Sequence, residues 1–152
     1  MPDPVTFTSV TPRFGLALLF SGQAQKELTV NEAHARADAV LHPAIEGEET
    51  GPPADPDEGE CWLVGAGATG AWTGEDGQLA CRQLDNWLFV APCDGMCVLD
   101  KSRGQRIVYF GGWQIAEPPA APTGGPTTDA EARAAIVDLI DALRTAGIFA
   151  AA

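Results

Sequence analysis

The sequence predicts a mainly β protein: a small antiparallel β-domain built from hairpins, with an N-terminal arm and short helix before it and a C-terminal helix after a Pro/Gly linker. Three observations carry this. Between residues 59 and 118 short apolar runs, "CWLVGA", "LACRQL", "WLFVAP", "MCVLD" and "RIVYF", alternate with Gly and Asp-Gly punctuation of the kind that tight turns need. Inside that region "GQLACRQLDNWLFVAP" from Gly77 can be laid on "GQRIVYFGGWQIAEP" from Gly104 with one deletion, matching Gly77 to Gly104, Gln78 to Gln105, Trp87 to Trp113 and Pro92 to Pro118. Each unit reads as a strand, a turn of Asp-Asn or Gly-Gly type and a strand opening with Trp. Finally, residues 128–147 have the caps and spacing of an amphipathic helix.

In chain order, residues 1–45 form an attachment and assembly segment, 46–118 the β-domain, 119–127 a linker and 128–152 a docking or oligomerisation helix. Pro2, Pro4 and Pro12 deny the arm a regular helix, and Val5, Thr6, Thr8, Val10 and Thr11 give it β-type stiffness. The oily run "FGLALLF" follows. It is too short to span a membrane, and the long n-region before it, with one Asp and one Arg, is unlike a secretory leader. The expectation is a chain made and folded in the cytoplasm, without membrane insertion. An exposed apolar run marks a contact site, so Arg13, Phe14, Leu16, Leu18, Leu19, Phe20, Gln23, Gln25 and Lys26 are expected to attach the protein to a neighbour. Thr29 is positioned to cap a helix from Val30, with Glu32 as its reciprocal partner. Ala33, Ala37, Val40 and Leu41 follow at helical spacing, and the helix stops by Pro43.

Charge limits the partners. With 21 acidic and 9 basic residues the net charge is −12, so a nucleic-acid phosphate backbone or an anionic bilayer lacks a complementary surface here. Seven of the carboxylates fall in "EGEETGPPADPDEGE" at 46–60, which reads as a solvated loop; a calcium site from Asp55, Asp57 and Glu58 is the minor alternative, since the stretch lacks the Gly and Glu spacing of a calcium loop. Cys93 and Cys97 bracket "DGM", a spacing foreign to zinc and thioredoxin motifs, and His34 and His42 lie far upstream. Buried thiols in strands are the expectation for Cys61, Cys81, Cys93 and Cys97, with disulfides or a metal as alternatives. No cofactor, metal site or catalytic cysteine is expected.

Tryptophan supplies most of the large side chains of the β region. Trp62 and Trp87 are expected in the core. Trp72, in "GATGAWTGEDG", and Trp113, after Gly-Gly, are read as surface aromatics that with Tyr109 could stack on sugar rings. In the terminal helix Thr128 caps, Glu131 completes the capping box and Gly147 ends it. Ala132, Ile136, Leu139, Leu143 and Ala146 make a stripe with Ile140 beside it. A tethered helix of this length is marginal alone, so Ile136, Leu139, Ile140 and Leu143 are expected to meet the same helix of another subunit, or the β-domain.

The stretch "TPRFGLALLFSGQAQKELTVNEAHARADAV", with "GPPADPDEGECWLVGAGATGAWTGEDGQLACRQLDNWLFVAP" and "VYFGGWQ", resembles the domain of unknown function 2793 family of phage and gene-transfer-agent appendage proteins. The Gln-Ala-Gln-Lys box, "GATGAW" and "GGW" are the specific elements. The resemblance implies a virion structural role: the base or adaptor of a head spike or tail fibre serving host attachment. Its implied partners are further copies of itself as a trimer or pentamer, a capsid or tail protein, a distal fibre or spike protein, and host polysaccharide. Its implied place is the particle, assembled in the bacterial cytoplasm. A saccharide-binding module is the alternative. An enzyme is not expected, because Asp55 and Glu58 sit in a Pro-rich loop and no catalytic constellation is framed by rigid elements.

Overall fold

The computed structural model describes residues 26–83, 85–125 and 129–151. Helix α1 (Lys26–Val40) leads into eight strands: β1 (Ala44–Ile45), β2 (Glu48–Glu49), β3 (Cys61–Val64), β4 (Leu79–Gln83), β5 (Asn86–Val90), β6 (Cys97–Asp100), β7 (Gln105–Tyr109) and β8 (Trp113–Gln114). A single 3₁₀ turn lies at Gly70–Trp72, and helix α2 (Ala130–Thr145) closes the described chain. The strands form two four-stranded sheets, a first in the order β2-β3-β4-β5 and a second in the order β1-β6-β7-β8. The protein is mainly β, as its sequence predicts.

Both halves of the sequence repeat fold as hairpins, β4–β5 pairing Arg82 with Trp87 and β7–β8 pairing Tyr109 with Trp113. The duplication reaches further than the sequence match. Cys61 pairs with Cys81 in the first sheet, and Cys97 with Val108 at the same step of the second. The Gly59 N–H donates to the Arg82 carbonyl at 3.0 Å and the Gly95 N–H to the Tyr109 carbonyl at 2.9 Å. Both glycines have φ near +90°, at +86° and +89°, which a side chain would strain. The carboxylate before each glycine holds the tip of the following hairpin: Glu58 accepts from the Asp85 N–H and Asp94 from the Gly111 N–H, each at 2.9 Å. Each half is thus a three-strand meander with one very short strand alongside.

Those short strands add parallel pairs to the antiparallel hairpins, making both sheets mixed. β2 pairs parallel with β3, and β1 pairs parallel with β6. Two-residue strands have no period-2 pattern to read. Their partners are reached by long connections, which parallel pairing requires. The acidic stretch expected to be solvated loop therefore contributes Glu48–Glu49 as an edge strand with exposed side chains.

The sheets stack with the same face orientation, front of the second on back of the first. Cys61, Leu63, Leu79, Cys81 and Val90 of the first sheet meet Val98 and Ile107 of the second, with Ile45, Met96, and Ala39 and Val40 of α1. The opposite face of the first sheet, bearing Trp62, Val64 and Ala80, is closed by Trp72 from the long β3–β4 connection. Asp76 holds that connection by accepting the N–H groups of Gly67 at 2.8 Å and Ala68 at 3.0 Å. These two bonds keep its carboxyl below the ordinary 3.8.

The helix ends also correct the sequence reading. Thr29 lies inside α1, because Lys26 and its successors are good helix formers, and so it is not the cap of a helix starting at Val30. The cap of α2 is Asp129, whose carboxylate accepts from the Ala132 N–H at 2.8 Å. Thr128 lies outside the described residues. At the other end Gly147, with φ +69°, closes a Schellman motif in which the N–H of Ile148 donates to Leu143 and that of Gly147 to Arg144.

Candidate functional site

The aromatic candidates separate. Trp72 is fully buried, so its expected role as a surface sugar platform is corrected. Its ring sits edge-on to Trp87 at 5.0 Å and tilted to Trp62 at 6.3 Å, forming one cluster over the first sheet. A turn-rich segment carries it there because the outer face of β3 and β4 would otherwise be an exposed apolar surface. Trp62 is buried and Trp87 half-buried, with the Arg82 guanidinium 5.6 Å from the Trp87 ring. Trp113, the counterpart of Trp87, is half-buried between the sheets, where its indole N–H donates to the Gly77 carbonyl at 2.9 Å. Tyr109 packs edge-on against it at 5.3 Å. Next to this pair Phe110 stands 73% exposed at the hairpin tip.

The cysteines also divide. Cys61 and Cys81 are buried as expected, but they form a cross-strand disulfide, with Cα atoms 4.1 Å apart. The register set them opposite each other in a non-hydrogen-bonded pair, the close kind that a bridge can span. Cys93 and Cys97 are free thiols; Cys97 is exposed, which corrects its expected burial. Among the described residues no group of His, Cys, Asp and Glu is arranged to hold a metal ion.

Of the attachment residues, Arg13, Phe14, Leu16, Leu18, Leu19, Phe20, Gln23 and Gln25 lie outside the described residues, and Lys26 is exposed at the first described turn of α1. The oligomerisation residues are all placed. Ile140 is buried within its own chain and Leu143 is half-buried, so neither is a free contact; Ile136 and Leu139 remain exposed, at 41% and 60%. α2 is held to its own β-domain chiefly by the segment behind it. The Arg106 N–H donates to the Gly147 carbonyl at 2.6 Å, the Ala151 N–H to Arg103 at 2.8 Å, and the buried Gln105 amide to Ile148 at 2.7 Å and Ala116 at 2.5 Å. Arg133 bonds the carbonyls of Pro122 and Gly124, tying the first turns to the linker.

A second uncovered surface escaped the sequence reading. The outer face of the second sheet presents Cys97 and Leu99 from β6 and Arg106 and Val108 from β7, in cross-strand pairs. Leu99 and Val108 are each 41% exposed. Beside them His42, Pro43 and Ala44 help line a concavity of about 400 Å³. The alternation of "CVLD" and "QRIVY" could have shown this face, but only with the sheet partner known.

A family model described as "Protein of unknown function (DUF2793)" matches residues 30–114, more than half of the chain. The chain belongs to this family. The DUF2793 match begins inside α1 and ends with β8, so it takes in both sheets and leaves the linker and α2 outside. No curated protein and no solved structure matches the chain significantly.

Proposed function

We propose that this DUF2793 protein is a non-catalytic structural module of a phage or gene-transfer-agent particle, the base or adaptor of a head spike or tail fibre that serves host attachment. The observation that carries the assembly part of this reading is α2, which stands beyond the family-matched module with Ile136 and Leu139 turned to solvent. A helix fixed mainly at its C-terminal end, with an apolar seam left bare, supports association with further chains. The appendage part is supported by the motif resemblance in residues 12–115. Attachment to the particle falls to the residues before α1, and the β-domain spaces the two ends.

The test is electron microscopy of particles made without this protein. The reading expects normal capsids or tails that lack a spike or fibre. Particles retaining every appendage would refute it. A glycan array with the purified protein separates the saccharide-binding alternative: the adaptor reading expects no retained glycan, and loss of a specific glycan signal on changing Tyr109 or Trp113 would favour the alternative.

A further inference from the structure

Resting on self-assembly of the chain, we infer which surfaces meet: α2 of one copy seats on the outer face of the second sheet of a neighbouring copy, with Asp138 of the helix paired to Arg106 of the sheet. Among its described residues each copy carries two bare apolar surfaces of different shape, a convex helical seam and a sheet face with a concavity beside it. One contact between copies covers Leu139 of the seam together with the sheet face, whereas helix-to-helix packing leaves the sheet face in water.

The internal duplication shows what that sheet face is built to do. Cys97, Leu99 and Val108 are the counterparts of Cys61, Leu63 and Cys81, through which the first sheet packs on the second. Among the described residues the same face is therefore covered once and left uncovered once. A second copy cannot simply continue the sheet stack, because the front of its first sheet is already closed by Trp72. A helix needs no such front.

Charge selects the helix. In a chain of net charge −12, Arg106 lies on the sheet face and lines the concavity. Among the described residues neither Arg106 nor Asp138 takes part in an ion pair. Asp138 is exposed on α2, on the side of Leu139 away from Ile136, about 100° round the helix from Leu139 and about 160° from Ile136. Ala132, Ala135 and Ala142 lie on the same side of α2 and are exposed, so the helix can approach the sheet closely while Leu139 enters the concavity. The contact joins unlike surfaces, so it builds a ring where the rotation closes, a filament where it does not, or a reciprocal exchange between two copies.

The test is a charge exchange on the full-length chain, read by sedimentation over a concentration series, with circular dichroism confirming that each variant folds. Arg106→Asp and Asp138→Arg should each weaken self-association about tenfold, and the double variant should recover most of that loss, because the ion pair is re-formed with its sign reversed. Single variants that associate like the wild type would overturn the contact while leaving self-assembly intact. A double variant no better than the singles would overturn the pairing of these two residues. Association that is lost with Leu139→Asp but indifferent to both charge changes would assign the seam to a helix-to-helix contact instead. A wild-type chain that stays monomeric would remove the self-assembly on which the inference rests.

Discussion

The two sheets share one hydrogen-bonding plan and differ in what covers them. In the first, the β3–β4 connection is long enough to fold back and set Trp72 against Trp62 and Trp87, so the outer face is closed. In the second, the β6–β7 connection is a tight turn held by the buried Asp100, which accepts from the N–H groups of Ser102 at 2.9 Å and Arg103 at 3.3 Å. It has no residue to spare for a cover, and Leu99 and Val108 face solvent. Equal ladders thus give unequal surfaces, and loop length decides which surface is core and which is left exposed.

The largest effect should come from opening the closed sheet. Trp72→Ala removes a fully buried ring that bridges two others, and should cost about 3–5 kcal/mol. Denaturant unfolding checks the loss, and near-ultraviolet circular dichroism should lose the signal of the coupled indoles. A variant as stable as the wild type would mean that the first sheet closes without its cover.

The duplication itself can be tested on the open sheet. Val108 occupies the position of Cys81, opposite Cys97 in the same kind of close pair. Val108→Cys should therefore oxidise to a second cross-strand disulfide, reducing the free thiols from Cys93 and Cys97 to Cys93 alone. The expected gain is about 2 kcal/mol, less than the loop-closure estimate because engineered bridges carry strain. Thiol titration under denaturing conditions with and without reductant decides it; a free thiol at Cys97 would contradict the equivalence of the two sheets.

A smaller effect is expected where the cover is tethered. Asp76 is exposed, and its carboxyl is held low by the N–H groups of Gly67 and Ala68. Its contribution is therefore complete above the ordinary carboxylate range and is lost as pH falls through the lowered value. Asp76→Asn should loosen the 65–78 connection slightly at neutral pH, seen as faster amide exchange at Gly67 and Ala68, and should flatten the acid side of the stability profile. An unchanged profile would mean that Trp72 alone holds the connection.

The same contrast explains what the sequence made legible. The hairpin repeat was readable because its parts are local: glycines at turns, Trp at the head of the second strand, Gln after the first glycine. The Schellman end of α2 was readable from Gly147 for the same reason. Trp72 was misread because "GATGAWTGEDG" has the composition of a surface turn, and only the distant partners Trp62 and Trp87 make it core. The Cys61–Cys81 bridge depends on strand register, which spacing along the chain does not fix. Strands β1 and β2 are too short to leave a pattern. Of the candidate contact residues, the α2 seam followed from helical periodicity. The sheet face did not, since Arg106 and Leu99 meet only across the ladder.

The central claim is that this chain carries bare apolar surfaces because other copies cover them. Its most direct test is the native mass of the full-length protein by sedimentation at micromolar concentration, alongside Leu139→Asp. The account predicts a discrete multimer for the wild type and a large shift toward monomer for the variant, whose added charge lies on the exposed seam and spares the fold. A wild-type protein that sediments as a monomer at every concentration would contradict it.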